Sequence, residues 1–213
     1  MPSNQPLWPR RGLYAITPDE PETGRLVARV APVLDAGAAV LQYRNKAADD
    51  ARRREQALAL QPLCRDYHVP LIVNDDWRLA AEIGADGAHL GGDDGDLHDA
   101  RRAMGTSAVI GASCYDDLNR ARRAIDAGAS YIAFGAFFPS GTKPNARRAS
   151  PQLLLDSAAF GVPRVAIGGV TPANAPLLIN AGADLIAVIG GLFESPDPRA
   201  AARAYIDCFK DPA

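Results

Sequence analysis

One short pattern returns four times and dominates what this chain can fold into: Asp35-Ala36-Gly37-Ala38, Glu82-Ile83-Gly84-Ala85, Asp126-Ala127-Gly128-Ala129 and Asn180-Ala181-Gly182-Ala183. Each copy follows a helix-like stretch and precedes an apolar run of strand character: Val40–Tyr43, Gly87–Leu90, Tyr131–Phe134 and Leu185–Val188. Glycine belongs just past a helix end because it takes the left-handed conformation without a Cβ clash. The four glycines lie 47, 44 and 54 residues apart. That is too long for one strand–helix unit and right for two. The intervening strands are Pro70–Val73, Ala108–Gly111 and Arg164–Ile167, and Gly12–Ile16 starts the series. Between them fall helical stretches such as 26–34, 51–67, 118–127 and 173–179.

Eight near-continuous apolar strands separated by helices indicate a parallel sheet with both faces covered. The expectation is an α/β protein, a single compact (β/α)8 TIM barrel with a long loop after strand six, 213 residues being close to the lower size of that architecture. An open doubly wound sheet is the competing fold, but its GxGxxG after strand one is replaced by Thr17-Pro18-Asp19. Residues 1–11 read as an N-terminal tail and 12–213 as the catalytic barrel.

Composition excludes other classes. An apolar share of 47% and a charged share of 23% rule out wholesale disorder, and a net charge of −2 gives no polycationic surface for nucleic acid or anionic lipid. Cys64, Cys114 and Cys208 are far apart and odd in number, which argues against a disulfide framework and a zinc site. The start, Met1 to Pro6, lacks the apolar core of a signal peptide, and no apolar run is long enough to span a membrane. The expected protein is soluble and cytoplasmic, with small-molecule partners; a homo-oligomer stays open.

In a barrel of this kind the chemistry sits at the carboxyl ends of the strands. Strand two ends Gln42-Tyr43-Arg44-Asn45-Lys46, and alternation sends Gln42, Arg44 and Lys46 to one side. An amide and two cations in register suit a polar ring and a polyanion; a solvated basic strand end would read the same way. Strand three ends Asn74-Asp75-Asp76. One of the two aspartates caps the next helix, leaving a carboxylate over. Strand four ends His89-Leu90-Gly91-Gly92-Asp93-Asp94, with His89 read as a satisfied interior histidine. Carboxylates on adjacent strand ends suit a hard cation such as Mg2+, which keeps waters and bridges to phosphate oxygens.

After strand five comes Gly111-Ala112-Ser113-Cys114, where Ser113 can donate to an anion. The stretch from Gly135 to about Ser150 is the longest loop. It reads as a lid in which Lys143 neutralises leaving-group charge or simply solubilises the loop. Strands seven and eight end in Gly168-Gly169 and Gly190-Gly191, and bare backbone there is the recurrent phosphate site of such barrels. One backbone-only site therefore suits a monophosphate, and one site with Arg44, Lys46, Lys143 and a metal suits a diphosphate. No nucleophile with a base partner is evident.

In their order along successive strand ends, Gln42-x-Arg44-x-Lys46, Asn74-Asp75, His89-Leu90-Gly91-x-x-Asp94, Gly111-Ala112-Ser113, Pro139-Ser140-Gly141-Thr142-Lys143, Ile167-Gly168-Gly169 and Ala187-Val188-Ile189 resemble the thiamine phosphate synthase family from about Gly12 to Phe193. The resemblance implies condensation of hydroxymethylpyrimidine pyrophosphate with thiazole phosphate to give thiamine phosphate and pyrophosphate. It implies that Gln42 holds the pyrimidine and that Arg44, Lys46, Asn74, Ser113 and Lys143 bind that substrate and its diphosphate. Arg44, Ser113 and Lys143 would carry the catalysis. Asp75 and Asp94 would bind Mg2+, and Ser140, Thr142, Gly169, Ile189 and Gly190 the thiazole phosphate. The chain departs from the family pattern at three positions: Gly92 for Gln, Ser140 for Thr and Gly190 for Ser. The last removes a hydroxyl from the phosphate cup but keeps its backbone N–H, so weaker or equal binding is expected. A thiazole tautomerase-like barrel is the nearest rival but has no use for Asn74, Asp75, Asp94 and Lys143 together. A non-catalytic phosphate-sensing barrel is the second; metal-dependent turnover excludes it. A sugar-phosphate isomerase would need an acid/base pair without the Arg/Lys cluster.

Overall fold

The computed structural model describes residues 8–9, 11–92, 95–139 and 148–210. Eight strands, β1 (Gly12–Ile16), β2 (Val40–Tyr43), β3 (Leu71–Asn74), β4 (Gly87–Leu90), β5 (Val109–Tyr115), β6 (Tyr131–Gly135), β7 (Arg164–Ile167) and β8 (Leu185–Val188), pair in parallel and in sequence order. β8 closes onto β1 through Tyr14 opposite Ala187. The expected closed barrel is the fold.

The helices that cover it include α1 (Thr23–Asp35), α2 (Asp50–Asp66), α3 (Trp77–Ile83), α4 (Leu97–Met104), α5 (Leu118–Asp126), α6 (Gln152–Asp156), α7 (Ala175–Asn180), α8 (Gly190–Phe193) and α9 (Pro198–Asp207). Strand alternation splits the apolar residues into two layers. Leu13, Ala15, Leu41 and Tyr43 face outward into the helix–sheet core, while Tyr14, Ile16, Val40, Ile72, Tyr131, Val165 and Leu185 fill the barrel interior. Trp8, within the segment expected as a tail, stacks on Tyr131 at 4.6 Å between ring centroids. No described helix is long and apolar enough to cross a membrane.

The fourfold pattern is a repeated helix stop. Gly37, Gly84, Gly128 and Gly182 all have φ between 67 and 104°. At each, the glycine N–H reaches the carbonyl three residues back and the following alanine N–H the carbonyl five back, as Ala85 to Ala80 at 2.9 Å and Ala183 to Leu178 at 2.9 Å. This is the Schellman closure, which satisfies the last helix carbonyls and turns the chain into a strand. The residue after the alanine then pins the neighbouring strand: Asp86 Oδ2 accepts the Leu71 N–H, Ser130 Oγ the Ile110 N–H and Asp184 Oδ2 the Arg164 N–H.

β5 departs from expectation. It runs to Tyr115 rather than stopping at Gly111, because Ser113 pairs in register with Ala133 before a bulge. Ser113 is thus held on the strand, not in the loop after it.

Candidate functional site

The carboxyl ends of all eight parallel strands form one rim, and the site is built there. At the end of β2, Thr17 Oγ1 accepts the Arg44 N–H and donates to the Arg44 carbonyl, both at 2.8 Å. Asp19 Oδ1 accepts from Arg44 Nη1 at 3.0 Å and from the Lys46 N–H at 2.8 Å. Asn45 turns away and donates to the Glu20 carbonyl at 2.8 Å, so alternation leaves Arg44 and Lys46 on the rim side. Thr17 and Asp19 were missed as site residues. Their only sequence signal is a hydroxyl and a carboxylate directly after the first strand.

The two aspartates after β3 separate cleanly. Asp76 caps α3, its Oδ1 accepting the Leu79 N–H at 2.9 Å. Asp75 is left for other work, and its Oδ2 lies 3.3 Å from Lys46 Nζ. Asp75 has φ 64°, and its N–H is tied to the His89 carbonyl at 2.8 Å. Aspartate is among the few non-glycine residues that enter the left-handed region readily. Asn74 lies beside it, in register with His89 of β4. Asp94 lies outside the described residues.

Inside the rim runs a chain of polar groups. Gln42 Nε2 donates to Tyr14 Oη at 2.9 Å, Tyr14 and Tyr131 hydroxyls meet at 2.7 Å, Tyr131 Oη meets His89 Nδ1 at 2.9 Å, and His89 Nε2 meets Ser113 Oγ at 2.9 Å. His89 is buried and bonded through both ring nitrogens, as an interior histidine should be. Burial pushes the Tyr14 and Tyr131 hydroxyls well above the ordinary phenol range, so both stay protonated.

β4 and β5 also frame a cleft of about 320 Å³ lined by Gly91, Gly92, Asp96, Ser113, Arg120 and Arg123 among others. A side chain at Gly92 would land on the Arg120 guanidinium, whose Nε donates to the Ser113 carbonyl at 3.0 Å. The glycine departure at 92 is therefore filled by Arg120, a residue that sequence reading overlooked because it sits on a different element, α5.

Across the barrel mouth, Gly168 and Gly169 follow β7 with φ 102 and 63°. A Cβ on Gly169 would meet the Phe138 and Pro139 carbonyls. The Phe137 and Phe138 N–H groups bond the Ile167 and Gly168 carbonyls, which seats the start of the loop after β6 against this turn. Ala149 N–H returns to the Ala136 carbonyl at 2.9 Å and fixes the loop's far end. Ile189 precedes α8, which begins at Gly190 with no side-chain cap and so offers bare backbone to an anion. Ser140, Thr142 and Lys143 lie outside the described residues. Gln42, Arg44, Lys46, Asn74, Asp75, Ser113, Gly169, Ile189 and Gly190 all fall at the one rim or just beneath it.

Cys64 and Cys114 are not nucleophile candidates. Burial pushes the Cys64 and Cys114 thiols up to about 12, far from the thiolate form at neutral pH.

A family model described as thiamine monophosphate synthase matches residues 13–192. A thiamine-phosphate synthase of Xanthomonas campestris pv. campestris is 56% identical over 195 residues, covering 92% of this chain and 94% of its own. One from Chromobacterium violaceum is 57% identical over 198 residues, covering 93% and 96%. Among solved structures, a thiamine phosphate pyrophosphorylase from Pyrococcus furiosus superposes with a TM-score of 0.83 at 31% identity, covering 93% of this chain and 95% of its own.

Proposed function

The chain belongs to the thiamine monophosphate synthase family, and from that membership we propose that its transferase reaction joins hydroxymethylpyrimidine pyrophosphate to thiazole phosphate by a dissociative substitution. The bond between the pyrimidine methylene carbon and the diphosphate oxygen breaks, its electron pair leaving with pyrophosphate. The thiazole nitrogen then supplies the pair for the new carbon–nitrogen bond, giving thiamine phosphate. The aminopyrimidine ring donates electron density to the methylene while it is cationic.

Such a step asks the protein for charge stabilisation and position rather than a general base. Arg44 and Lys46, with their backbone fixed through Thr17 and Asp19, grip the diphosphate, and Ser113 donates to it. Gln42 and Asn74 orient the pyrimidine. Gly169, Ile189 and Gly190 present backbone to the thiazole phosphate, joined by Ser140 and Thr142, and Lys143 meets the leaving group from the loop. Asp75 offers a hard oxygen donor beside the Lys46 cation. This suits Mg2+, which takes one or two carboxylates plus substrate phosphates; Asp75 and Asp94 would hold it. Mg2+ there would neutralise charge developing on the diphosphate.

The observation that carries this reading is the pairing of a cation-lined half at β2–β3 with a bare-backbone half at β7–β8 on one rim. Incubating the protein with both phosphorylated heterocycles and Mg2+ tests it. Mass spectrometry should find thiamine phosphate and pyrophosphate in equal amounts, with loss of both products on chelation by EDTA. Product formed undiminished in EDTA would remove the metal, and release of pyrophosphate without thiamine phosphate would remove the coupling of the two halves.

A further inference from the structure

The middle of the interior polar chain, Tyr14, Tyr131 and His89, grips neither substrate, yet it links two residues that do, Gln42 and Ser113. It crosses five strands: Gln42 on β2, Tyr14 on β1, Tyr131 on β6, His89 on β4 and Ser113 on β5. Its sense follows once each buried hydroxyl is required to spend its hydrogen within the chain. The Gln42 amide nitrogen only donates, so Tyr14 Oη accepts from it and, to keep its own buried hydrogen bonded, passes that hydrogen to Tyr131 Oη. Tyr131 then passes its hydrogen to His89 Nδ1. That nitrogen accepts when the imidazole proton sits on Nε2, and Nε2–H then faces Ser113 Oγ at 2.9 Å and donates to it. With its oxygen already accepting, Ser113 has its hydrogen to spend outside the barrel.

We propose that His89 and Tyr131 are positioning residues, which through this one-way chain from Gln42 hold the Ser113 hydroxyl hydrogen outward, toward the oxygens of the bound diphosphate. The opposite sense would either make Tyr14 Oη accept from both Gln42 and Tyr131, with the buried Tyr14 hydrogen unspent within the chain, or put the Gln42 carbonyl oxygen on Tyr14. It would turn the Ser113 hydrogen inward onto His89 and leave a lone pair facing a polyanion. The surroundings keep the chain dry and rigid. Tyr14 and Tyr131 are buried, and Trp8 stacks on Tyr131 at 4.6 Å. Gly111 leaves the space in which His89 and Tyr131 meet, since a Cβ there would lie 2.5 Å from His89 Nδ1. Burial also keeps both phenols protonated, so each has a hydrogen to pass on.

The inference rests on the reading that Ser113 meets the diphosphate, and the two are separable. Nitrogen-15 NMR of histidine-labelled wild-type protein reads the tautomer of His89 directly. The Nε2–H form is expected, and the Nδ1–H form would overturn the chain's sense. Affinity for inorganic pyrophosphate in the presence of Mg2+ reads the consequence. Ser113→Ala and Tyr131→Phe should each weaken it about tenfold, the loss of one well-aimed hydrogen bond to a charged acceptor. The double variant should be about as weak as the single ones, because both remove the same bond. Thiazole phosphate affinity should stay unchanged throughout. Wild-type pyrophosphate affinity in Tyr131→Phe, or losses that multiply in the double variant, would overturn the proposal. Wild-type affinity in Ser113→Ala would instead remove Ser113 from the diphosphate site while leaving the tautomer result to stand or fall alone. The NMR measurement uses the unaltered chain, so a variant that does not fold leaves the proposal exposed to refutation.

Discussion

Lys46 Nζ and Asp75 Oδ2 face each other at 3.3 Å across the ends of β2 and β3. Lys46 is assigned to the diphosphate and Asp75 to the metal, so each is the other's counter-ion before substrate arrives. The pair is more than half exposed on the lysine side; it is a placeholder rather than a strut of the fold. On the proposed function, a metal–diphosphate complex would exchange this one intramolecular pairing for two with the ligand, Asp75 holding the cation and Lys46 the phosphate oxygens.

Asp75→Asn isolates the charge from the backbone. Asparagine tolerates the left-handed region that φ 64° demands, whereas alanine would add strain. The variant should keep its melting temperature within about 2 °C, the range of a change below 1 kcal/mol in a chain this size. The Mg2+ concentration for half-maximal turnover should rise at least about tenfold, as expected for losing one of two carboxylate donors. Unchanged Mg2+ dependence would take Asp75 out of the metal site.

Gly111 is a tight point of the interior. A Cβ there would enter the Tyr131 ring and lie 2.5 Å from His89 Nδ1. Tyr131 cannot retreat, with Tyr14 and Trp8 packed on it. Gly111→Ala should therefore cost about 3 kcal/mol, at the upper end of overpacking penalties, and lower the melting temperature by roughly 6–12 °C. A thermal scan matching wild type would mean that the interior has slack the geometry does not show.

The buried thiols give a pH-dependent expectation. Cys64 and Cys114 are raised from 9.0 to about 12 by burial, so the folded form binds their protons more tightly than the unfolded form does. Their contribution to stability is complete below pH 9 and is lost as pH rises from 9 toward 12. Iodoacetamide at pH 8 should leave both unmodified in the native protein and alkylate both in denaturant, read by peptide mass spectrometry. Native labelling of Cys64 at a rate near that of a free thiol would contradict its burial.

How far the sequence carried is clearest at β3. The glycine stops and apolar runs revealed strand, turn and helix because each depends on local backbone preference and burial alone. The choice between Asp75 and Asp76 as the helix cap stayed open, since both are adequate acceptors at adjacent positions. Only the fixed backbone gives the cap to Asp76 and turns Asp75 toward Lys46. Arg120 and Asp19 were invisible for a related reason. Each serves a residue on another element, Arg120 beside Gly92 and Asp19 beneath Arg44, and no local periodicity encodes that contact. The length of β5 depended likewise on its register with β6.

His68 tests the glycine-stop argument on a helix where the pattern is absent. α2 closes by the same two bonds, His68 N–H to the Arg65 carbonyl at 3.1 Å and Val69 N–H to the Cys64 carbonyl at 2.9 Å, but the turning residue is a histidine with φ 55°. His68 is exposed, so no packing offsets the Cβ strain. His68→Gly should stabilise the protein by about 0.5–1 kcal/mol, the relief of left-handed strain less the extra chain entropy of glycine. Calorimetry should show the melting temperature rise by roughly 1–4 °C. A fall would mean that the imidazole makes a contribution its exposure conceals.

Gly190→Ser supplies a hydroxyl at the start of α8. The position has room for it at modest cost. A Cβ there would lie 2.8 Å from Glu194 Oε1, but that atom ends a flexible, exposed side chain that can swing away. Moving the Glu194 carboxylate aside also takes a negative charge away from the place where a phosphate should sit. The new hydroxyl adds one donor beside the backbone N–H groups at the start of α8, and one added hydrogen bond is worth about 0.5–1.5 kcal/mol. Thiazole phosphate affinity measured by calorimetry should therefore rise about two- to tenfold, with pyrophosphate affinity unchanged because that ligand binds across the rim. A gain confined to pyrophosphate would exchange the two halves of the site, and with them the direction in which the pyrimidine is handed to the thiazole.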